Sequence, residues 1–429
     1  MKLPNLKDLK IDFIGAISNT SNDSMCLKNL MKCLAGIADL SIVGFQPTDI
    51  TNSMTPDDVS FIMQHVKGQR STDMFIHAMR PHLWHPAADA YNIGVILWPT
   101  SKIPDKDISI NGIDSKEKAN WVKQCNLMDE IWTFGKTSKA AVEQAGCTKP
   151  VHQLAIPIDT AFWCPDAPLI ERGIQGVTYD HQGNKIDLSK RFVVGGIADW
   201  EQKNDMDTFI CCALLSVPRN NGVVVLKTHD YIGKQDIIDT CRKIKARLVI
   251  ERLPALVVID EEMTDEDLRG LIATFDVFLS TSRAEAVNLP LMYAMSMGKP
   301  VIAGSHSGHM DCMTTSNSVL VPVNLEIVRT DVKDPWYQAD QMWGKINEVI
   351  AIQSIQNLHQ KYLSLEGETL VATGAREAIE TTYGMPRAKG LLKKRLGKIL
   401  KNDIRTGLDT EGDTTDVKTD VETEVPSVS

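Results

Sequence analysis

Short apolar runs rich in β-branched residues alternate with longer amphipathic stretches through most of this 429-residue chain, in two successive series. Strands covered on both faces read as near-continuous hydrophobic runs, so the alternation predicts parallel strands joined by helical crossovers. The first series places strands at 11–17, 40–45, 95–98, 130–134 and 151–156. The second places them at 191–196, 223–228, 256–260, 276–280, 300–303 and 319–323. Between the two, Pro157, Pro165, Pro168, Gly173, Gly176 and Gly183 punctuate a stretch with no period, the strongest boundary signal in the sequence. The chain is also too long for one ordinary core. The expected architecture is α/β: two Rossmann-like doubly wound domains facing across a cleft, where the carboxyl ends of both sheets would bind ligands. We set the boundaries at 1–165 for the first domain, 166–189 for the linker and 190–330 for the second domain. C-terminal helices are expected over 331–405 and a disordered acidic tail over 406–429.

Composition narrows the class. At 43% hydrophobic and 24% charged the chain can bury a core, unlike a disordered or fibrous sequence. The N-terminal residues lack an apolar run long enough for a signal peptide, and no segment approaches a transmembrane span. Nine scattered cysteines without a C-x-x-C pair suggest neither a disulfide framework nor a zinc site, so a reducing cytoplasm is expected. A net charge of −9 argues against a surface that tracks nucleic acid. Near the C-terminus, Trp343, Ile346, Val349 and Ile350 are spaced as on a core-facing helix. Residues 387–405 set eight Lys or Arg around Leu392, Leu396 and Ile399, an amphipathic basic helix. It reads equally as a peripheral contact with an anionic membrane or acidic partner, or as a solvated terminal helix.

Three Asp-x-Asp pairs, Asp105/Asp107, Asp205/Asp207 and Asp265/Asp267, occur where a metal-binding pair could be sought. None closes a strand; they read as a loop and two helix starts, and no essential metal is expected.

From Asp276 to Gly308 the sequence is strand, polar loop, helix, strand. Pro290 suits a first helical turn and Gly298 a helix stop, with Pro300 opening the next strand. The helix therefore points its N-terminus, with unpaired N–H groups and partial positive charge, at the loop holding Glu285. A diphosphate suits that terminus. A carboxylate beside it suits sugar hydroxyls better than phosphate, although taken alone Glu285 reads as an ordinary exposed loop residue.

Ser280-Thr281-Ser282, Glu285, Leu289-Pro290-Leu291, Ala294-Met295, Gly298 and Pro300-Val301-Ile302 fall in register with a known signature. The stretch resembles retaining GT-B glycosyltransferases of the large family 4 type (glycosyl transferases group 1), whose pattern is Glu-x7-Glu followed by a helix ending in Gly-x-Pro-Val-Ile. The resemblance implies transfer of a sugar, with retention, from a nucleotide-diphosphate donor that serves as substrate, no cofactor being needed. It implies that Glu285 contacts the donor sugar and that backbone groups around Ala286, Val287, Asn288 and Leu289 hold the diphosphate. Gly308 would belong to a second Gly-rich loop facing the donor. The second Glu of the pattern falls on Tyr293, which would sit at the ribose without a charge. Gly195-Gly196 followed by Trp200 to Asn204 resembles the first strand and phosphate loop of the same domain, making Lys203 the residue that neutralises the leaving diphosphate. Gln202 stands where an Arg is usual, and Lys227 ends a strand of family type, where a Lys snorkelling from the strand end is an equal reading. The segments Gly94 to Trp98, Asp129 to Phe134, Ala145-Gly146 and Pro157 to Asp159 also resemble the family's acceptor domain.

Acceptor contacts are expected from loops after the first domain's strands: Ser18 and Asn19 in the polar run to Ser24, and His82 in the cluster His77, Arg80, His82, Trp84, His85. A plain turn and surface or core positions are the alternatives there. The acceptor itself is expected to be a glycan, a lipid-linked group or another hydroxyl. Three other functions fit parts of the sequence: a GT-B epimerase or hydrolase, a non-catalytic nucleotide-sugar-binding subunit, and a glycosyltransferase acting on DNA.

Overall fold

The computed structural model describes residues 5–15, 21–45, 49, 54–68, 70–108, 119–166, 177–179, 185–228, 234–248, 250, 253–329, 334–363 and 370–403. The acidic tail, Ser18, Asn19 and most of the 166–189 stretch lie outside them. The first domain runs β1 (Lys10–Gly15), α1 (Asn22–Ala35), β2 (Asp39–Ile42), α2 (Pro56–His65), β3 (Met74–Ala78), β4 (Tyr91–Ile96), α3 (Trp121–Cys125), β5 (Glu130–Thr133), α4 (Lys136–Gln144) and β6 (Val151–Gln153). Its six strands are parallel in the order β2-β1-β3-β4-β5-β6. Strand β3 is absent from the sequence reading. His77 interrupts its apolar run, but the ring is buried against Phe75 at 4.5 Å and bonds Asn92 at 3.3 Å.

A short hairpin, β7 (Val177–Tyr179) and β8 (Lys185–Asp187), precedes the second domain. That domain runs β9 (Phe192–Ile197), α5 (Met206–Ser216), β10 (Gly222–Thr228), α6 (Lys234–Arg247), β11 (Ala255–Asp260), α7 (Asp265–Ala273), β12 (Val277–Leu279), α8 (Leu289–Ser296), β13 (Val301–Gly304) and β14 (Val319–Val321). The order β11-β10-β9-β12-β13-β14 is again all parallel. Strands β9 and β10 are buried almost throughout, as a sheet with helices on both faces requires.

The stretch 331–405 differs from the helical expectation at its start, where β16 is a strand. β15 (Val323–Ile327) and β16 (Met342–Ile346) form an antiparallel hairpin before α9 (Glu348–Leu363), α10 (Leu370–Tyr383) and α11 (Met385–Asp403). Trp343 and Ile346 lie on β16, while Val349, counted with them as core, is 63% exposed at the start of α9. The helical spacing spans a strand end and a helix start.

The chain crosses between domains twice at one place, where Ile158 N–H donates to Tyr383 O and Met385 N–H donates to Ile158 O, both at 2.9 Å. Beyond the crossing α11 returns to the first domain. Its apolar side, Leu392, Leu396 and Ile399, is buried in the core that also contains Leu30 and Leu34 of α1. The apolar side of this amphipathic helix is thus covered by the protein itself. Lys393, Lys394, Lys398 and Lys401 remain exposed on the opposite side.

Candidate active site

The site is assembled where β9 and β12 end side by side. Gly196 at the end of β9 has no room for a side chain; a Cβ would lie 2.3 Å from Phe209 of α5. The chain then turns through a short 3-10 segment, Gln202–Asn204, into Asp205, which adopts the left-handed conformation at φ 51° before α5 begins. Asp tolerates that conformation better than most residues. The polar run after β12 holds this loop in place. Thr281 Oγ1 donates to Asn204 O at 3.1 Å, Ser282 Oγ bonds Asn204 Oδ1 at 3.2 Å, and Arg283 N–H donates to Lys203 O at 2.7 Å. The Arg283 guanidinium secures the bend from outside, 2.9 Å from both Asp205 and Glu326.

Lys203 and Glu285 meet inside this frame. Lys203 Nζ lies 4.0 Å from Glu285 Oε2 and 3.6 Å from Glu201 Oε2. Glu285 is 6% exposed, and burial pushes its carboxyl up to about 7, against the opposing influence of Lys203 and a hydrogen bond from Ser282. Burial disfavours the Lys203 charge, but Glu285 and Glu201 outweigh it and the ammonium is held more firmly than usual. Glu285 is therefore not the exposed loop residue that its type alone suggests. Tyr337, from the β15–β16 hairpin, and Asp23, on the first turn of α1, are within electrostatic reach of Lys203.

The second Gly-rich loop closes on the Glu285 loop. Gly308 N–H donates to Glu285 O at 2.8 Å, and a Cβ at this position would stand 2.3 Å from Ala286 O. Ser307 Oγ accepts the Glu285 N–H at 3.0 Å. Asn288 caps α8 by accepting the Leu291 N–H at 3.1 Å, while its Nδ2 bonds Ser280 at 3.1 Å and His309 at 3.2 Å. Burial depresses the imidazole of His309 to about 4, so it stays neutral and can accept from Asn288.

Two expected contacts are corrected. Tyr293 is not open to a ribose: it is 1% exposed and stacks on Trp163 at 3.7 Å and 7°, its hydroxyl accepting from Asn29 Nδ2 at 3.2 Å. The aromatic ring that replaces a carboxylate is used to bind the domains together. The first N–H of α8 is not unpaired either, because Leu289 N–H donates to Asn22 Oδ1 at 2.9 Å. Lys227 ends β10 with its ammonium on Thr228 O at 3.1 Å, and burial lowers its pKa. His82 faces Trp336 of the hairpin at 4.6 Å, stacked.

The Asp-x-Asp pairs lie as the sequence suggests, Asp205 capping α5 and Asp265 opening α7. Among the described residues no three His, Cys, Asp or Glu side chains are grouped to hold a metal. Asn22 lies in the polar run expected to meet the acceptor but contacts Val287 and Leu289 instead, while Arg283, His309 and Tyr337 are not singled out by the sequence reading, since their roles come from contacts made in the fold. A small cavity at the carboxyl ends of β9, β10 and β12, lined among others by Gly196, Ala198, Asn204 and Ser280, adjoins the site.

Two parallel-sheet domains with a returning C-terminal helix and a site at the carboxyl strand ends define the GT-B class. The fold is similar to HepE of Anabaena, with TM-score 0.60 and 14% identity over 91% of this chain and 100% of that one. It is also similar to sucrose-phosphate synthase of Thermosynechococcus elongatus (TM-score 0.59, 9% identity, 93% and 100%) and to WaaG, a glycosyltransferase of lipopolysaccharide biosynthesis (0.54, 12%, 91% and 99%). Identities this low establish the fold. Residues 231–329 match the family model of glycosyl transferases group 1, while no curated protein sequence matches the chain. The chain thus has the GT-B fold, and within its second domain it is similar to glycosyl transferases group 1.

Proposed function

We propose that the enzyme moves a sugar from a nucleotide-diphosphate donor to an acceptor hydroxyl, with retention at the anomeric carbon. The observation that carries this reading is the pairing of half-buried Lys203 with buried Glu285, 4.0 Å apart, Glu285 lying just before the N-terminus of α8. In it Lys203 balances the charge that develops on the departing diphosphate, where a preorganised cation is most effective. Glu285 accepts hydroxyls of the donor sugar, and Ala286, Val287, Asn288 and Leu289 supply backbone groups to the phosphates. The donor's own phosphate oxygen takes the acceptor proton on the same face, so that the protein orients the reactants instead of providing a nucleophile. Lys203 is the cation at the diphosphate, and no metal is required.

UDP-sugars are the first donors to test, since HepE is described in complex with UDP and with UDP-glucose. The acceptor is a glycan, a lipid-linked group or another hydroxyl compound. Among the described residues no helix is long and apolar enough to cross a membrane. We place the enzyme in the cytoplasm, which suits its nine free thiols, with the exposed lysines of α11 available to an anionic membrane surface.

The test is a panel of UDP-, GDP-, ADP- and TDP-sugars with candidate acceptors, run with and without EDTA, scoring nucleoside diphosphate release by wild type and Glu285→Ala. Release that persists in EDTA and falls by about 100-fold or more in the variant supports the reading. Binding without release across the acceptor panel would overturn it.

A further inference from the structure

We propose that Asn22 is an interdomain clasp that stands in for the donor, holding a peptide group the diphosphate needs until the donor displaces it. The inference rests on the donor site proposed above. Asn22 opens α1 in the first domain, yet its side chain does not cap that helix. Ser21 does so through a reciprocal capping box with Ser24, which leaves the Asn22 amide to point across the cleft. There Nδ2 donates to Val287 O at 2.5 Å and Oδ1 accepts from Leu289 N–H at 2.9 Å. One amide thus grips both sides of Asn288, three residues beyond Glu285.

The first turn of α8 consequently offers no spare donor. Leu289 N–H goes to Asn22, Pro290 has none, Leu291 N–H goes to the Asn288 side chain and Met292 N–H to Asn288 O at 3.0 Å. Of these acceptors only Asn22 comes from the other domain, and it is neutral. A phosphate oxygen forms the stronger, charge-assisted bond to the same N–H and also gains from the partial positive charge of the helix end. Donor binding therefore exchanges an interdomain bond for a ligand bond. The exchange makes donor affinity smaller than the site alone would give, by the free energy of the clasp.

A merely structural Asn22 would have the opposite effect when removed. The full chain and its Asn22→Ala, Asn22→Ser and Asn29→Ala variants would be titrated calorimetrically with UDP, GDP, ADP and TDP. Asn29→Ala removes another interdomain hydrogen bond, to Tyr293, without touching the donor loop. The Ser21 cap keeps α1 intact in all of them, and the serine variant retains a polar residue should alanine fold poorly. We expect the preferred diphosphate to bind the Asn22 variants about 3- to 10-fold more tightly than wild type, the equivalent of about one ordinary hydrogen bond, and Asn29→Ala to match wild type. Equal or weaker binding by the Asn22 variants overturns the clasp and leaves the transferase reading standing. Tighter binding by Asn29→Ala as well would mean general loosening of the interface and also overturns it. Failure of every protein to bind any of the four diphosphates overturns the donor site itself.

Discussion

Glu285 carries its proton to about pH 7 because burial costs its charge more than Lys203 returns. As pH rises through that value the carboxylate forms and can accept sugar hydroxyls, so we expect kcat/KM to climb on an acidic limb with a midpoint near 7. Glu285→Gln should remove the limb and lower the plateau by about 100-fold, which a pH series with the preferred donor would read. The sign for stability is the reverse. A carboxyl raised in the folded state binds a proton that the unfolded chain has already released, so its contribution to stability falls as pH rises from about 4.5 to about 7. Residues of this kind were legible where their partners are near in sequence. The spacing from Ser280 to Gly308 identifies Glu285 because strand, loop and helix are contiguous. Tyr293 misled because its position in that spacing is shared with a ribose ligand, whereas its surroundings come from Trp163 and Asn29, 130 and 264 residues away.

At the level of elements, two glycines make a controlled comparison. Gly308 touches Ala286 O and Glu285 O so closely that Gly308→Ala must push the two donor loops apart, costing about 1–3 kcal/mol of stability. Activity should fall with it. Gly390 on α11 has nothing within 4 Å of its Cβ position, so Gly390→Ala should stabilise by about 0.5–1 kcal/mol through helix propensity alone. Urea titrations of both variants would decide. The strand and helix series was largely readable, since parallel strands such as β9 and β10 are apolar along their whole length. Strand β3 was not, because His77 is satisfied by Asn92, a partner that sequence cannot supply. Strand β16 was read as helix because Trp343 and Ile346 precede α9 at spacings that imitate its period.

Two kinds of bridge join the whole molecule. The hairpin segment lies on the first domain through Arg80–Asp334 at 2.6 Å and Lys102–Asp340 at 3.1 Å, with Trp336 buried beside Trp121. On the far side Arg395 of α11 pairs with Glu130, a carboxylate with no exposure that also receives Tyr91 and Trp132. The two should differ sharply in worth. Arg395→Ala strands a buried charge and should cost about 3–5 kcal/mol. Arg80→Ala removes a half-exposed, screened pair and should cost less than about 1 kcal/mol, as thermal melts of the two variants at equal salt would show. The doubly wound architecture was visible in the two strand series, but neither bridge was, since each depends on how the domains dock. The return of α11 also sets an order of assembly on the ribosome. The face of α1 that receives Leu392, Leu396 and Ile399 is made roughly 350 residues before the helix that covers it. The nascent first domain must therefore wait with a greasy seam open while the second domain is translated and folded, which makes it a client for holding chaperones throughout that interval.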